Sequence, residues 1–175
     1  LVKKERAEED RRKRALAEAR TPKTIMRTLP KLPAPEVRPA VAFADRKGRL
    51  RWPVTAGRVQ AKFGNVTHPV LKTVTQNTGI DIATNSGSGV YAVADGEVSV
   101  LSFIPGFGNV LIVNHFDGYR TVYAHLSDVL VSEDQRVSEG MEIARSGETV
   151  SGSVLHFEIW YEKDKQNPET WLARR

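Results

Sequence analysis

The chain has 175 residues, of which 40% are hydrophobic and 27% are charged, a balance typical of a globular protein. It contains no cysteine, which excludes disulfides and thiolate metal sites, and no apolar run approaches the roughly 18 residues that a membrane span needs. The net charge of +5 is unevenly distributed: residues 1–51 carry 16 Lys and Arg against 7 Asp and Glu (+9), whereas residues 52–175 carry 10 against 14 (−4). No nucleic-acid motif accompanies the basic N-terminal part, so we expect no nucleic-acid partner.

Residues 1–20 predict a charged helix. Oppositely charged residues recur four positions apart, and each such pair stabilises a helix by roughly 0.2–0.5 kcal/mol. The pairs are Glu8–Arg12, Glu9–Lys13 and Asp10–Arg14. Because few apolar residues accompany them, we expect this helix to be the end of a longer coiled coil. The chain starts at Leu1 rather than at Met, and we expect any signal sequence to lie outside this fragment.

Residues 21–51 predict a basic, proline-rich linker. Proline lacks an amide donor and fixes φ, which favours extended chain, and five prolines fall within eighteen residues: Pro22, Pro30, Pro33, Pro35 and Pro39. Three apolar residues, Ile25, Met26 and Leu29, interrupt this stretch. They indicate either a collapsed linker or a segment that docks on the domain and regulates it.

Residues 52–175 predict a mainly β domain. Short runs rich in β-branched and aromatic residues alternate with Gly, Asp, Asn and Ser, which is the pattern of strands and turns. The predicted strands cover, among others, residues 58–63, 90–93, 97–103, 109–114, 120–125 and 154–160. Asp95-Gly96 is a strong signal for a hairpin turn.

The pattern of strands and turns in residues 90–98 and 137–143 occurs in two families. Lipoyl and biotinyl carriers need a modifiable Lys at a hairpin tip, usually beside Met, but Met26 precedes Arg27 and Met141 precedes Glu142, so this alternative is rejected. The LytM-type (lysostaphin-like) peptidase domain fits better, because six segments resemble its motifs in order. They are Phe63-Gly64 with His68-Pro69, residues 77–83, residues 106–115, residues 119–127, residues 153–158, and Asn167-Pro168 with Trp171-Leu172.

This resemblance implies a fold of antiparallel sheets with a central groove and, in active relatives, a catalytic zinc. A catalytic zinc takes three protein ligands and leaves one position for water, whose pKa it lowers to about 7. Matched position by position, the resemblance implies that Asp81 and His156 are retained as ligands and His125 as a water-positioning histidine. The remaining ligand position holds Asn77, and the other catalytic histidine position holds Val154. Since an amide is a poor zinc ligand and Val cannot transfer a proton, we expect no zinc, no other cofactor and no hydrolytic activity.

Two further histidines are expected to be structural or solvated. His68 precedes Pro69 in a loop and resembles a non-ligand histidine of the family. His115 ends a predicted strand where active relatives often have a non-catalytic histidine. Neither is expected to rescue the metal site.

Loss of the catalyst leaves the groove as a surface for a partner. Side chains alternate along a strand, so Val154, His156, Glu158 and Trp160 are expected on one face. An alternative is that Trp160 packs near Trp171 instead. The residues expected to form the partner-binding groove are Asn77, Phe107, Val110, Arg120, Tyr123, His125, Val154, His156 and Trp160.

A degenerate LytM domain behind a coiled coil resembles the EnvC-type murein hydrolase activators. The resemblance implies a periplasmic, non-catalytic protein that binds and switches on an N-acetylmuramoyl-L-alanine amidase during daughter-cell separation. Further partners would be peptidoglycan and, through the missing N-terminal part, a coiled-coil partner or division complex. Three alternatives stay open: an active zinc endopeptidase, a structural LytM binding module, and passive peptidoglycan binding.

Overall fold

A computed structural model describes residues 41–67, 72–150 and 152–175. The predicted helix, the proline stretch with Ile25, Met26 and Leu29, and His68 lie outside these residues. Two short 3₁₀ helices cover Phe43–Arg46 and Pro168–Thr170. The strands within the described ranges are β1 (Arg58–Ala61), β2 (Gly64–Thr67), β3 (Val74–Asn77), β4 (Ile80–Ala83), β5 (Gly89–Tyr91), β6 (Gly96–Ile104), β7 (Gly108–Asn114), β8 (Tyr119–Val129), β9 (Arg136–Val137), β10 (Glu142–Ser146), β11 (Glu148–Thr149), β12 (Gly152–Tyr161) and β13 (Asp164–Gln166).

The predicted mainly β fold of antiparallel sheets is confirmed. The six predicted strands are present with bounds that differ by up to four residues. Most strands belong to one large sheet with the order β1-β4-β12-β8-β7-β6-β9, from which β10 with β5, β11 and β13 branch. A separate two-stranded sheet contains β2 and β3. None of the helices in the described ranges is long and apolar enough to cross a membrane.

The hairpin predicted at Asp95-Gly96 is wrong. The strand before the turn, β5, pairs with β10, whereas β6 pairs with β7 and β9. The turn is fixed by long-range contacts instead: the Asp95 carboxylate accepts from the Glu139 N–H at 2.7 Å, and the Asp95 carbonyl accepts from His115 Nδ1 at 2.8 Å. These contacts hold the turn between β5 and β6 against His115 and Glu139.

The sheet separates a main core from a smaller apolar cluster. Alternation along β7 directs Leu111 and Val113 into the main core, whereas Val110 and Ile112 lie on the opposite face. On that opposite face, Val110 packs with Val122, Ala124 and the half-buried Trp160. This face also carries the residues of the predicted site.

The folded domain begins earlier than the sequence predicts. Phe43 and Leu50, assigned to the linker, are 2% and 1% exposed. Phe43 stacks on His115 with ring centroids 4.7 Å apart, and Leu50 forms a parallel bridge with Leu172. Their partners lie many residues away along the chain, so local sequence could not reveal that this segment completes the core.

His115 has the structural role that the sequence predicts. It is 1% exposed, and burial lowers its pKa to about 4, so it is neutral. Nδ1–H donates to the Asp95 carbonyl, and Nε2 therefore accepts from the Thr121 hydroxyl at 2.7 Å. Thr121 shares a hydrogen bond with the Tyr123 hydroxyl, which accepts from the Val93 N–H at 3.2 Å. This buried chain ties the turn before β6 to β8.

Candidate functional site

The floor of the predicted site is formed where β4 pairs with β12. Asp81 and His156 are direct cross-strand partners, and His156 Nδ1 lies 2.6 Å from Asp81 Oδ1. The other ring nitrogen, Nε2, lies 2.9 Å from Glu158 Oε1, two residues further along β12. His156 is therefore clamped between two carboxylates.

This clamp fixes the charge of the imidazole. Burial by itself lowers the pKa of His156, but the hydrogen bonds and charges of Asp81 and Glu158 outweigh it and raise the pKa to about 9. At neutral pH, His156 is thus protonated and donates to both carboxylates. Burial raises the pKa of Glu158, but hydrogen bonds from His156, Thr78 and Trp160 outweigh it and lower the pKa to about 2.

The residues in this arrangement do not fit a zinc ion. A catalytic zinc needs three protein ligands, and among the residues that the structure describes no group of three or more His, Cys, Asp or Glu side chains is placed to hold a metal ion. Asn77 Oδ1 accepts from the Gly79 N–H at 3.2 Å, and its remaining polar atom, the buried donor Nδ2, has no hydrogen-bond partner. A neutral amide is a poor zinc ligand, so we expect no third ligand from Asn77. Loss of zinc stays a prediction that metal analysis must test.

His125 reaches the site through a β-bulge. Between β7 and β8, Asn109 pairs with Leu126 but Leu111 pairs with Tyr123, so β8 contains one extra residue. His125 lies at this bulge, and its φ of +61° is a left-handed conformation that is uncommon outside glycine. Burial, followed by the positive charge of His156, lowers the pKa of His125, while Asp81 opposes the shift.

The bulge overturns the prediction for Tyr123. In a regular strand, Tyr123 and His125 would share a face, which is why the sequence predicts Tyr123 in the groove. The extra residue breaks this alternation, and Tyr123 is fully buried in the main core against Phe157. Burial raises the pKa of its hydroxyl to about 12, and its role is structural.

A groove lies above the floor. It contains a cavity of about 310 Å³, whose wall comes partly from the small β2–β3 sheet. Phe107, 48% exposed in the β6–β7 turn, forms the opposite rim. The lining residues are Ala61, Val66, Thr75, Gln76, Asn77, Thr78, Asp81, Phe107, His125 and His156. His125 also lines a second cavity of about 690 Å³, together with Gly106, Gly108 and residues 147–150.

The predicted groove residues divide into three groups. Four of them, Asn77, Phe107, His125 and His156, line the 310 Å³ cavity. Three others, Val110, Arg120 and Trp160, lie beside it on the same sheet face, with Arg120 directly opposite Trp160 and Val110 buried. Tyr123 and Val154 do not line it. Val154 pairs with Ala83 and is only 6% exposed, so it cannot serve as an open floor.

Trp160 packs on the groove side rather than near Trp171. Trp171 lies in the main core beside Phe43 and Tyr119, whereas Trp160 borders the smaller cluster of Val110, Val122 and Ala124. The Trp160 indole N–H donates to Glu158 Oε2, and the Lys165 ammonium lies 4.7 Å from the ring centroid. Its placement follows the strand alternation that the sequence predicts.

Glu158 and Thr78 are the site residues that the sequence reasoning missed. Glu158 shares the His156 face, so alternation brought it near the site, but nothing in the sequence indicated its contacts. Thr78 lies 80 residues away along the chain, and its hydroxyl donates to Glu158 Oε1.

Comparison with known proteins identifies the family. The model of Peptidase family M23 matches residues 75–168, which is more than half of the chain, so the chain belongs to this family. The matched range includes the Asn77–Asp81 segment, the His125 bulge and the His156–Glu158 segment.

Two curated relatives and one solved structure are informative. The murein hydrolase activator NlpD of Escherichia coli (strain K12) is 40% identical over 127 residues, 71% of this chain and 31% of NlpD. The cell division protein DipM of Caulobacter vibrioides (strain NA1000 / CB15N) is 37% identical over 135 residues, 74% of this chain and 21% of DipM. A zinc-containing peptidase from Vibrio cholerae has a TM-score of 0.65 and 32% identity, covering 73% of this chain and 41% of that chain. This chain thus spans a third or less of the two curated relatives.

Proposed function

We propose that this chain belongs to a non-catalytic activator of peptidoglycan hydrolases. It binds an N-acetylmuramoyl-L-alanine amidase and switches it on during cell-wall remodelling and daughter-cell separation. One observation carries the proposal: Asn77 and the buried Val154 occupy the positions where active relatives have a ligand histidine and a catalytic histidine. The relative NlpD is named a murein hydrolase activator, which supports this class of activity, and the relative DipM is named a cell division protein, which supports a role in daughter-cell separation.

The chemistry of the site argues against hydrolysis. Hydrolysis by this family needs a metal-activated water and a second histidine that moves its proton. Asn77 offers a neutral amide, which is a poor zinc ligand, and the buried Val154 can neither accept nor transfer a proton. Loss of acid–base help alone typically costs a factor of about 10²–10⁴ in rate. The groove, with its exposed Phe107, is left as a surface for binding.

This function requires a location outside the cytoplasmic membrane, where peptidoglycan and its amidases are found, and we propose the periplasm. Peptidoglycan itself is a second proposed ligand. A coiled-coil partner or a division complex is a further proposed partner.

A reconstituted assay tests the proposal. Dye-labelled sacculi are incubated with a periplasmic amidase, with this chain, and with both. We expect no dye release by this chain alone, and dye release by the mixture at a rate well above that of the amidase alone. A mixture that releases no more dye than the amidase alone, for every amidase of the source cell, would contradict activation. Co-purification without activation would favour a structural binding module.

The second candidate is an active zinc endopeptidase. Retention of Asp81, His125 and His156, together with the likeness to a zinc-containing peptidase, favours it. Metal analysis of protein purified without chelators separates the two functions. Stoichiometric zinc with dye release by this chain alone would support the endopeptidase.

A further inference from the structure

One buried carboxylate connects three parts of the groove. Glu158 is 7% exposed, and both of its oxygens accept hydrogen bonds. Oε1 accepts from the Thr78 hydroxyl and from His156 Nε2–H, while Oε2 accepts from the indole N–H of Trp160. A buried carboxylate with three donors is strongly held, because charge-assisted hydrogen bonds are shorter and stronger than neutral ones.

The contact with Thr78 acts on the wall of the groove. Thr78 and Gly79 form the connection between β3, in the small sheet, and β4, in the large sheet. This connection lies tightly against β12, because a Cβ at Gly79 would overlap the carbonyl oxygen of Phe157 and the Glu158 side chain. The Glu158–Thr78 hydrogen bond therefore joins the base of the β2–β3 wall to the floor.

The other two contacts act on the floor and on the flanking aromatic residue. Through Nε2, Glu158 fixes the plane of the His156 ring, whose Nδ1 reaches across to Asp81 on β4. Through Oε2, it fixes the Trp160 indole, which covers the apolar cluster beside the cavity. Wall, floor and flank thus share one anchor that lies beneath the surface and does not line the cavity.

We propose that Glu158 is the positioning residue of the partner-binding groove: it cross-links the wall at Thr78, the floor at His156 and the flank at Trp160. The inference rests on the proposed function, since it assigns Glu158 to the same groove. Glu158 acts through these three residues and does not touch the partner.

Glu158→Gln is the most direct test because it keeps the side-chain shape. The amide has one acceptor oxygen, and its NH₂ group would face a donor at either His156 or Trp160, so at least one contact is lost. Thr78→Val removes only the hydrogen bond to the wall, whereas Thr78→Ser keeps the hydroxyl that donates it. Glu139→Gln is the matched control, because Glu139 pairs with Arg46 outside the groove.

The first readout needs no partner. In the full chain, the indole ¹⁵N–H signal of Trp160, assigned by its loss in Trp160→Phe, should shift in Glu158→Gln and exchange about tenfold faster, as for loss of one charge-assisted hydrogen bond. Thr78→Val should accelerate amide exchange across residues 74–79 and leave the indole signal in place. Thr78→Ser and Glu139→Gln should match the wild type in both measurements.

The second readout is amidase activation on sacculi. Glu158→Gln and Thr78→Val should both lower it about tenfold, with Thr78→Ser and Glu139→Gln near wild type.

Unchanged exchange and indole signals in Glu158→Gln would overturn the positioning role, whatever the activation result. If the signals change in Glu158→Gln but amidase activation does not, Glu158 positions these side chains without any effect on the partner. A wild-type chain that activates no amidase would refute the proposed function only, because the partner-free readout decides the positioning role separately. If Glu158→Gln does not fold, the Thr78→Val and Thr78→Ser pair decides it.

Discussion

The rings of Phe107 and His125 stack with centroids 5.6 Å apart and planes 10° apart, while the His125 N–H donates to the Phe107 carbonyl at 2.7 Å. Each residue thus supports the other through both ring and main chain. The exposed aromatic rim and the strained bulge of β8 form one unit, although neither contact is visible in the spacing of the sequence. Phe107 is consequently an exposed apolar side chain that His125 holds in place at the rim of the groove.

Phe107→Ala should lower amidase activation by a factor of about 30, because truncating an aromatic anchor commonly costs about 2 kcal/mol of binding. Activation on sacculi and direct affinity for the amidase are the measurements. Phe103→Ala is the matched control: Phe103 is 68% exposed on the same β6–β7 hairpin but does not line the cavity. Equal effects of the two variants, in proteins with wild-type circular dichroism, would place the partner elsewhere.

His115 should make the domain sensitive to mild acid. The pKa of His115 is about 4 in the folded chain and 6.5 in the unfolded chain. Its contribution to the free energy of unfolding is therefore fully present above pH 6.5 and is lost as the pH falls toward 4. At 1.36 kcal/mol per pH unit, the loss is about 3 kcal/mol. Denaturant unfolding at pH 7 and pH 4, for wild type and His115→Gln, measures it. The opposite contribution of His156, whose folded pKa is raised, cancels in this comparison.

The expected result is a free energy of unfolding that falls more for the wild type than for His115→Gln, by about 3 kcal/mol between the two pH values. If the free energy of unfolding falls equally in both proteins, burial does not lower the pKa of His115, and the histidine is protonated in the folded state at pH 4. Nδ1–H would still donate to the Asp95 carbonyl, and Nε2–H would then donate to the Thr121 hydroxyl instead of Nε2 accepting from it.

Asn77→His should restore a third ligand and raise zinc affinity at least about tenfold over the wild type, as measured by competition with a chelator of known affinity. Turnover should need Val154→His in addition, since the second histidine moves the proton. Asn77→Ala is the control, because it also loses the hydrogen bond to Gly79 but adds no ligand. An Asn77→His protein that binds no more zinc than Asn77→Ala would show that the Asp81–His156 contact does not open for a metal.

Removal of residues 1–40 should strengthen partner binding. These residues carry 12 Lys and Arg against 6 Asp and Glu (+6), and they include the apolar Ile25, Met26 and Leu29, whereas residues 52–175 carry a net −4. These opposite charges favour binding of residues 1–40 to the domain, which would compete with the partner. Salt screens this attraction over about 8–10 Å. Amidase affinity of long and short chains, measured at low and high salt, tests this. Equal affinities at both salt concentrations would leave the segment as a spacer.

Much of the fold followed from the sequence because its signals are local. β-branched runs between turn residues located β6, β7, β8 and β12, and the family motifs located Asp81, His125 and His156 in one site. The failures have physical reasons that lie outside local sequence. Tyr123 was misplaced because one extra residue in β8 reverses the alternation. Glu158 was missed because its meaning depends on Thr78, which only the pairing of β4 with β12 brings close.

The pairing of Leu50 with Leu172 has a consequence for when this domain can fold. Phe43 packs against Trp171, so the core is completed by segments about 120 residues apart in the chain. A nascent chain that lacks residues 171–172 would leave Phe43 and Leu50 without these contacts and the sheet open beside them. Contacts of such long sequence separation form late and slowly. We therefore expect the chain to acquire its stable form only after translation has passed Leu172.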